Sequence, residues 1–421
     1  IVTKTELPNR WNEESDVVIV GSGFAGLSAD IEANIAGISV IVLEKMKVYG
    51  GNSTISDGVI AACGTRMQKS KGIQDSTGLM IADMVSAGMG LNHPALIQTL
   101  AEKGADAFHW TMDYLGVHYM DRVDQFGGHS VPRSHTPVEQ SGAAIVRQLL
   151  NKAKELSVPI RTRNFLERIF TDHENRVCGV SIRDGYDYPD STSGQRKFIR
   201  IRKALILAGG GFGNDIDFRS SQDPRLDHTV GSTNKYATKG ETIREAMRIG
   251  ALPVHLSWIQ LGPWTTPDEK GYGVGGKFIC YAVLPFGIIV NPFNAKRFIN
   301  ELDDRKKVAD AMLNVANPCV GIADQKGVEA SGWDVRRAIK RGVVKTSNRI
   351  EAIADNFGIP RQPLLQTIER FNAAFTNRKD MVFNTPILEK ALPLQHPPYY
   401  GVRVWPNVHY PPVASTHLRA H

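Results

Sequence analysis

Two short apolar runs near the start of the chain bracket a helical pattern. Val17 to Val20 is unbroken and apolar, and Ser39 to Leu43 is a similar run. Such runs predict strands buried on both faces. Between them Leu27, Ile31 and Ile35 recur at helical spacing, and Gly37 predicts the end of that helix. The stretch DVVIVGSGFAGLSADIEANIAGISVIVLEK therefore reads as one β-α-β unit. A third apolar run, Ala204 to Leu207, ends in Ala208-Gly209-Gly210-Gly211. It follows a polar insert of hairpin character, NRVCGVSIRDGYDYPDSTSGQRKFIRIRKA. Later, VEASGWDVRRAIKRG, RIEAIADNFG and PLLQTIERFNAAFT carry helical patterns. Neither an internal repeat nor a low-complexity tract interrupts them. The alternation predicts an α/β fold.

The turn after the first strand adds chemistry. Gly21-Ser22-Gly23-Phe24-Ala25-Gly26 matches G-x-G-x-x-G, and Glu44 closes the second strand. In a dinucleotide-binding unit an acid stands about 20 residues past the glycines. Gly21 permits the tight turn, Gly23 lets a pyrophosphate approach the backbone, and Gly26 lets helix and strand pack closely. Free amides at the helix start stabilise the pyrophosphate, and Glu44 accepts the hydroxyls of a ribose. A glycine-rich turn without a ligand is the alternative, but strand, helix, second strand and terminal acid together favour the dinucleotide.

Composition bounds the rest. The chain has 421 residues, 42% hydrophobic and 22% charged, enough for two or more domains. Net charge is +7, with basic residues scattered or in short clusters such as Arg336-Arg337 and Lys340-Arg341. These read as solvated faces, and nucleic acid is not an expected partner. No apolar run reaches membrane-span length. Cys63, Cys178, Cys280 and Cys319 are far apart, without C-x-x-C or C-x-x-C-H. They predict no c-type haem and no metal site, and read as small buried apolar residues. Ile1 stands where a methionine would open a chain, so the expectation is that a signal sequence or a further domain precedes it.

The loop after Glu44 separates the dinucleotides. Tyr49-Gly50-Gly51-Asn52-Ser53-Thr54 supplies small residues and free amides. A nicotinamide enzyme has no need of a second cradle there, whereas a flavin and its ribityl chain must pass over that backbone. An ordinary surface loop is the competing reading.

At this point the sequence resembles the soluble fumarate reductase, or flavocytochrome c, flavoprotein family, related to the succinate dehydrogenase flavoprotein. The resemblance rests on the β-α-β unit, GGNSTISDG, RSHTP, LILAGGGFGN, KRFINELDDRKK and VWPNVHY, in order from Asp16 to Tyr410. It implies a Rossmann-like two-dinucleotide-binding FAD domain with an inserted α+β capping domain, and an active site in the cleft between them. It places FAD on Gly21, Ser22, Gly23, Ala25, Gly26, Glu44, Lys45, Gly50, Gly51, Asn52, Ser53, Ala208, Gly209, Gly210 and Glu241. Covalent relatives carry a histidine just before the serine-threonine loop. Tyr49-Gly50 stands there, so the expected FAD is non-covalent. Electrons are expected from a separate cytochrome. The implied location is periplasmic, with a cytoplasmic one left open.

The same resemblance implies hydride addition to the β-carbon of an unsaturated carboxylate and protonation of its α-carbon. Lys296-Arg297-Phe298-Ile299-Asn300-Glu301-Leu302-Asp303-Asp304-Arg305 matches the family's K-R-F-x-N-E-x-x-x-R, which makes Arg305 the candidate proton donor. His409, in PNVHY, is the candidate partner of the substrate carboxylate.

Three departures matter. The family's proton-relay positions carry Cys280 and Val283, so a route through Asp303, Asp304 or water is expected. Gly262 and Ile279 stand where fumarate reductases hold a second carboxylate. A carboxylate against Gly262, Trp264 and Ile279 would lack partners at a cost of several kcal/mol. An enoate with an apolar or aromatic far end is expected, with Tyr281 supplying one hydrogen bond. Finally, after His409-Tyr410 the chain reads PPVASTHLRAH, without the family's glycine-rich return segment and its G-A-N-R-x-G-G-N arginine. The expected organisation is an FAD-binding domain over residues 1–255, a substrate-capping domain over 256–410 and an unmatched tail over 411–421. Fumarate reductase proper, a ketosteroid-type dehydrogenase and a truncated non-catalytic flavoprotein are the alternative readings.

Overall fold

The computed structural model describes residues 6–125, 128–377 and 379–410. The tail expected to be unmatched lies outside them. The chain forms two compact units, one running to Gly210 and resuming over Glu241–Leu252, the other holding Gly211–Gly240 and residues 253–410. Residues 211–240, expected with the first domain, thus cluster with the second.

The first unit is built on a six-stranded sheet in the order β5-β2-β1-β8-β7-β6. Its strands are β1 (Glu13–Val20), β2 (Val40–Leu43), β5 (Ile160–Arg161), β6 (Asn164–Thr171), β7 (Val177–Asp184) and β8 (Gln195–Leu207), while β3 (Ile60–Ala61) and β4 (Ser134–His135) pair separately. β1 runs parallel to β2 on one side, Val17 facing Val40, and parallel to β8 on the other, Val20 facing Leu207. The third apolar run therefore returns beside the first. The polar insert is the antiparallel β7–β8 hairpin, and β8 is longer than the apolar run because its amphipathic first half pairs with β7.

The helix after the glycine turn spans Phe24–Ile35. Leu27 and Ile31 are fully buried, but Ile35, expected on the same face, is 55% exposed in the last turn, where the helix has left the sheet. Asp30 shares the buried face, with neither carboxyl oxygen hydrogen-bonded. Burial raises its pKa to about 7. The unfolded chain ionises this group near pH 4 while the folded chain keeps the proton, so stability falls as pH rises from about 4 to about 7. Asp30→Ala is expected to stabilise the fold by up to roughly 4 kcal/mol at pH 8 and far less near pH 4. Urea unfolding at the two pH values checks this.

The second unit carries an antiparallel sheet in the order β10-β11-β13-β12, formed by β10 (Ile288–Val290), β11 (Cys319–Asp324), β12 (Lys345–Ser347) and β13 (Tyr399–Val404). A separate pair joins β9 (Gln260–Gly262) to β14 (Asn407–Tyr410), with Asn407 facing Gly262. The pattern VEASGWDVRRAIKRG, expected as one helix, is two, Gln325–Ser331 and Arg336–Lys340. Gly332 adopts the left-handed conformation that ends the first. The other two patterns form helices Ile350–Phe357 and Arg361–Asn377. None of the four cysteines is in a disulfide; Cys63 and Cys319 are buried, while Cys178 and Cys280 are only partly so. Among the described residues no helix is long and apolar enough to cross a membrane.

Candidate functional site

In the first unit the expected cofactor residues converge at the ends of β1, β2 and β8. Gly21, at φ +105°, lies so close to β8's end that a Cβ there would sit 2.3 Å from the Ala208 oxygen. Gly26 packs as tightly, a Cβ falling 1.9 Å from the Gly21 oxygen. Glu44 is buried and takes three hydrogen bonds, from the Ser22 hydroxyl at 2.6 Å, the Ser22 amide at 3.2 Å and the Met46 amide at 2.9 Å. Ser22 in turn accepts from the Gly50 amide at 3.0 Å, so one hydroxyl ties the glycine turn, the acid and the second loop together. Gly50 is left-handed and opens the short helical turn Gly51–Ile55, which contains Asn52 and Ser53.

Ser53 accepts from the Phe24 amide at 3.0 Å. The next amides, Ala25 and Gly26, find no acceptor among the described residues, and Gly23 provides no side-chain cap. An uncapped helix start with free amides suits an anion. The space above Gly51 and Gly210 is open. Lys45 pairs with Glu241 at 2.7 Å, and Gly209 lies against Thr242 at the start of the helix Glu241–Arg248. These features fit FAD, its pyrophosphate on the uncapped helix start and its ribose hydroxyls near Glu44.

The second unit gathers the expected reactive residues. Arg305 opens the helix Arg305–Val315, capped by Asp304. The KRF-x-NE motif holds this entry in place. Arg297 is buried, bonds both oxygens of buried Glu301 at 2.8 and 2.6 Å, and reaches Asp380 at 3.0 Å. Its guanidinium lies between the rings of Phe371 and Phe383. Glu301 also accepts from the Ile289 amide, which fastens the segment to β10. Removing one partner from such a buried set leaves an uncompensated charge.

The Arg305 guanidinium lies over the Trp264 ring, 4.6 Å from its centroid. The His409 ring meets the same indole edge-on at 5.6 Å and 82°. His409 Nδ1 and the Thr233 hydroxyl are 2.7 Å apart. Burial, reinforced by the charge of Arg305, pushes His409 down to about 4. The imidazole is therefore neutral at neutral pH. Gly262 completes the group, since β9 and β14 pair beside His409.

Other expected residues sit elsewhere. Asp303 pairs with Lys307 at 3.0 Å and Asp304 caps its helix, so the structure gives neither a contact with the Arg305 guanidinium. Val283 and Ile279 are fully buried in the core. Trp264 packs on that same core and is itself only partly buried. Tyr281, on the following turn, is 47% exposed.

Sequence reasoning missed two residues. Thr233, in a loop without periodicity, gave no signal. Arg219 is buried, has no ion pair among the described residues, and donates to the carbonyls of Gly213, Leu226, Asp227, Val230 and Gly231. It clamps the loop whose Gly231 and Thr233 pair with Val408, next to His409. An arginine after an Asp-capped turn looks like a surface residue in sequence.

Residues 16–411 match the family model described as FAD binding domain. The chain is 37% identical over 407 residues to an acrylate reductase flavoprotein subunit of Shewanella woodyi, covering 95% of this chain and 80% of that protein. It is 31% identical over 398 residues to a cytochrome-type fumarate reductase of Shewanella frigidimarina, covering 94% of this chain and 66% of that one. The structure superposes on an open flavocytochrome c3 fumarate reductase with a TM-score of 0.79 at 27% identity, over 95% of this chain and 68% of the other. With the family model spanning nearly its whole length, the chain belongs to the FAD binding domain family, and FAD is its cofactor.

Proposed function

We propose that this chain reduces the C=C bond of an α,β-unsaturated carboxylate bearing one carboxylate and an apolar far end. The observation that carries the reading is the Arg305–Trp264–His409 group: a guanidinium with no ion pair among the described residues, stacked on an indole, next to a neutral imidazole. Two named reductases of unsaturated acids among its relatives support it.

When bound, FAD supplies the hydride that adds to the β-carbon. Thr233 holds His409 Nδ1, which leaves Nε2 to hydrogen-bond the substrate carboxylate. Arg305 stabilises the charge that builds on that carboxylate as the α-carbon becomes enolate-like. It then delivers a proton to the α-carbon. Water reprotonates it, because the neighbouring carboxylates are engaged elsewhere. The wall formed by Gly262 and Trp264 offers a second carboxylate only the neutral indole N–H and no charged partner, so fumarate is a poor substrate. Glu44 and the uncapped helix start hold FAD without a covalent bond. A separate cytochrome supplies the electrons, and the protein works in the periplasm.

The test is direct. The purified protein is expected to be yellow and to release FAD into the supernatant on acid precipitation. Loaded with FAD, it is expected to oxidise a reduced viologen dye on addition of acrylate and to form propionate. FAD-loaded protein that leaves acrylate, cinnamate and fumarate all unreduced would overturn the reading.

A further inference from the structure

Arg305 is exposed at the first position of its helix, and no ion pair or hydrogen bond restrains its guanidinium among the described residues. A long side chain in that situation pays rotamer entropy to stay in one place. The indole of Trp264 is the surface it rests on, and that indole is itself well fixed. It packs against the core that contains Phe278 and Ile279. The next residue, Thr265, is buried and pinned to Trp405, whose amide donates to the Thr265 oxygen at 2.9 Å while the Thr265 hydroxyl donates to the Trp405 oxygen. Gly262 leaves room on the other side: a Cβ there would lie 3.3 Å from the indole Nε1 and Cε2 and 3.5 Å from His409 Cβ.

We propose that Trp264 is the positioning residue of this site, its indole face holding the Arg305 guanidinium beside His409. The attraction of a guanidinium to a ring face is strongest for tryptophan, weaker for phenylalanine and absent for an aliphatic chain. Trp264 thus does the work an ion pair would do, and leaves the guanidinium without a carboxylate that would raise its hold on its proton. The consequence for turnover rests on the function proposed above; the positioning itself does not.

Positioning is read without substrate, through the imidazole of His409. Its neighbours among the described residues are Thr233, Trp264, Tyr410 and Arg305, and Arg305 is the one charge among them that acts on its titration. Protein labelled with ¹³C-histidine is titrated by NMR, the His409 signal being assigned by its loss in His409→Gln. Arg305→Gln is expected to raise the His409 pKa by roughly half a unit to one unit. Trp264→Met fills the volume but offers no ring face, and raises the pKa further by exposing the imidazole. The decisive quantity is the effect of Arg305→Gln within Trp264→Met. It is expected to fall below half its value in the parent, whereas Trp264→Phe keeps most of it. An unchanged effect in Trp264→Met would overturn the proposal. Should Trp264→Met not fold, Trp264→Phe carries the test, a partial fall being expected and none overturning it.

With acrylate, Trp264→Met is expected to lower kcat about tenfold while KM stays within about threefold. Coupling without any enoate turnover would leave the positioning intact and sink the proposed reaction. Turnover without coupling would do the reverse.

Discussion

Arg305→Gln is expected to lower kcat for enoate reduction by about a thousandfold or more while FAD binding and the melting temperature stay unchanged. The residue combines both charge stabilisation and proton delivery, so its removal costs more than either role alone. Its side chain is exposed and unpaired, so truncation leaves no buried partner behind. Arg305→Lys keeps a charge and a proton but loses the flat face that stacks on Trp264, and is expected to recover only part of the rate. Stopped-flow reduction of acrylate by the photoreduced flavoprotein measures the step itself. A variant that keeps more than a tenth of the parent rate would remove Arg305 from the mechanism.

Gly23→Val is expected to yield folded, colourless protein. Gly23 has an ordinary extended conformation, and a Cβ there meets the Ser53 hydroxyl at 3.0 Å and the Gly50 oxygen at 4.0 Å. The fold therefore accommodates a side chain, but the approach to the Ala25 and Gly26 amides does not. Losing the pyrophosphate contacts corresponds to at least about a hundredfold in FAD affinity. Gly26→Val is the contrast: its Cβ would overlap the Gly21 backbone, so it is expected to lose the fold along with the cofactor. Flavin fluorescence titration beside a melting curve separates the two. Gly23→Val protein that still binds FAD within tenfold of the parent would place the pyrophosphate elsewhere.

The cofactor-binding unit was readable because its residues are local in sequence. Strand, glycine turn, helix and acid lie within one stretch, and the buried strands announce themselves by unbroken apolar runs. What completes that unit was less readable. The hydrogen bonds from Ser22 to Glu44 and from Gly50 to Ser22 join loops whose contact depends on the sheet. Arg305 and His409 came from a family resemblance, since nothing in their local sequence marks them. Ile279 lies fully buried in the core, and sequence gives no warning of this, because an apolar residue reads the same whether it lines a pocket or fills a core. The role of Trp264 was illegible because it depends on three segments meeting, the strand ending at Gly262, the helix starting at Arg305 and the strand carrying His409.

One competition experiment tests the central claim most directly. Acrylate and fumarate at equal concentration are presented together to the FAD-loaded protein with reduced viologen, and propionate and succinate are counted by NMR. The ratio of products is the ratio of kcat/KM. A second carboxylate against Gly262 and Trp264 lacks a charged partner, so propionate is expected to exceed succinate by about a hundredfold or more. Succinate in equal or greater amount would contradict the account, because it would require a charged carboxylate-binding group that Gly262 and Trp264 do not provide.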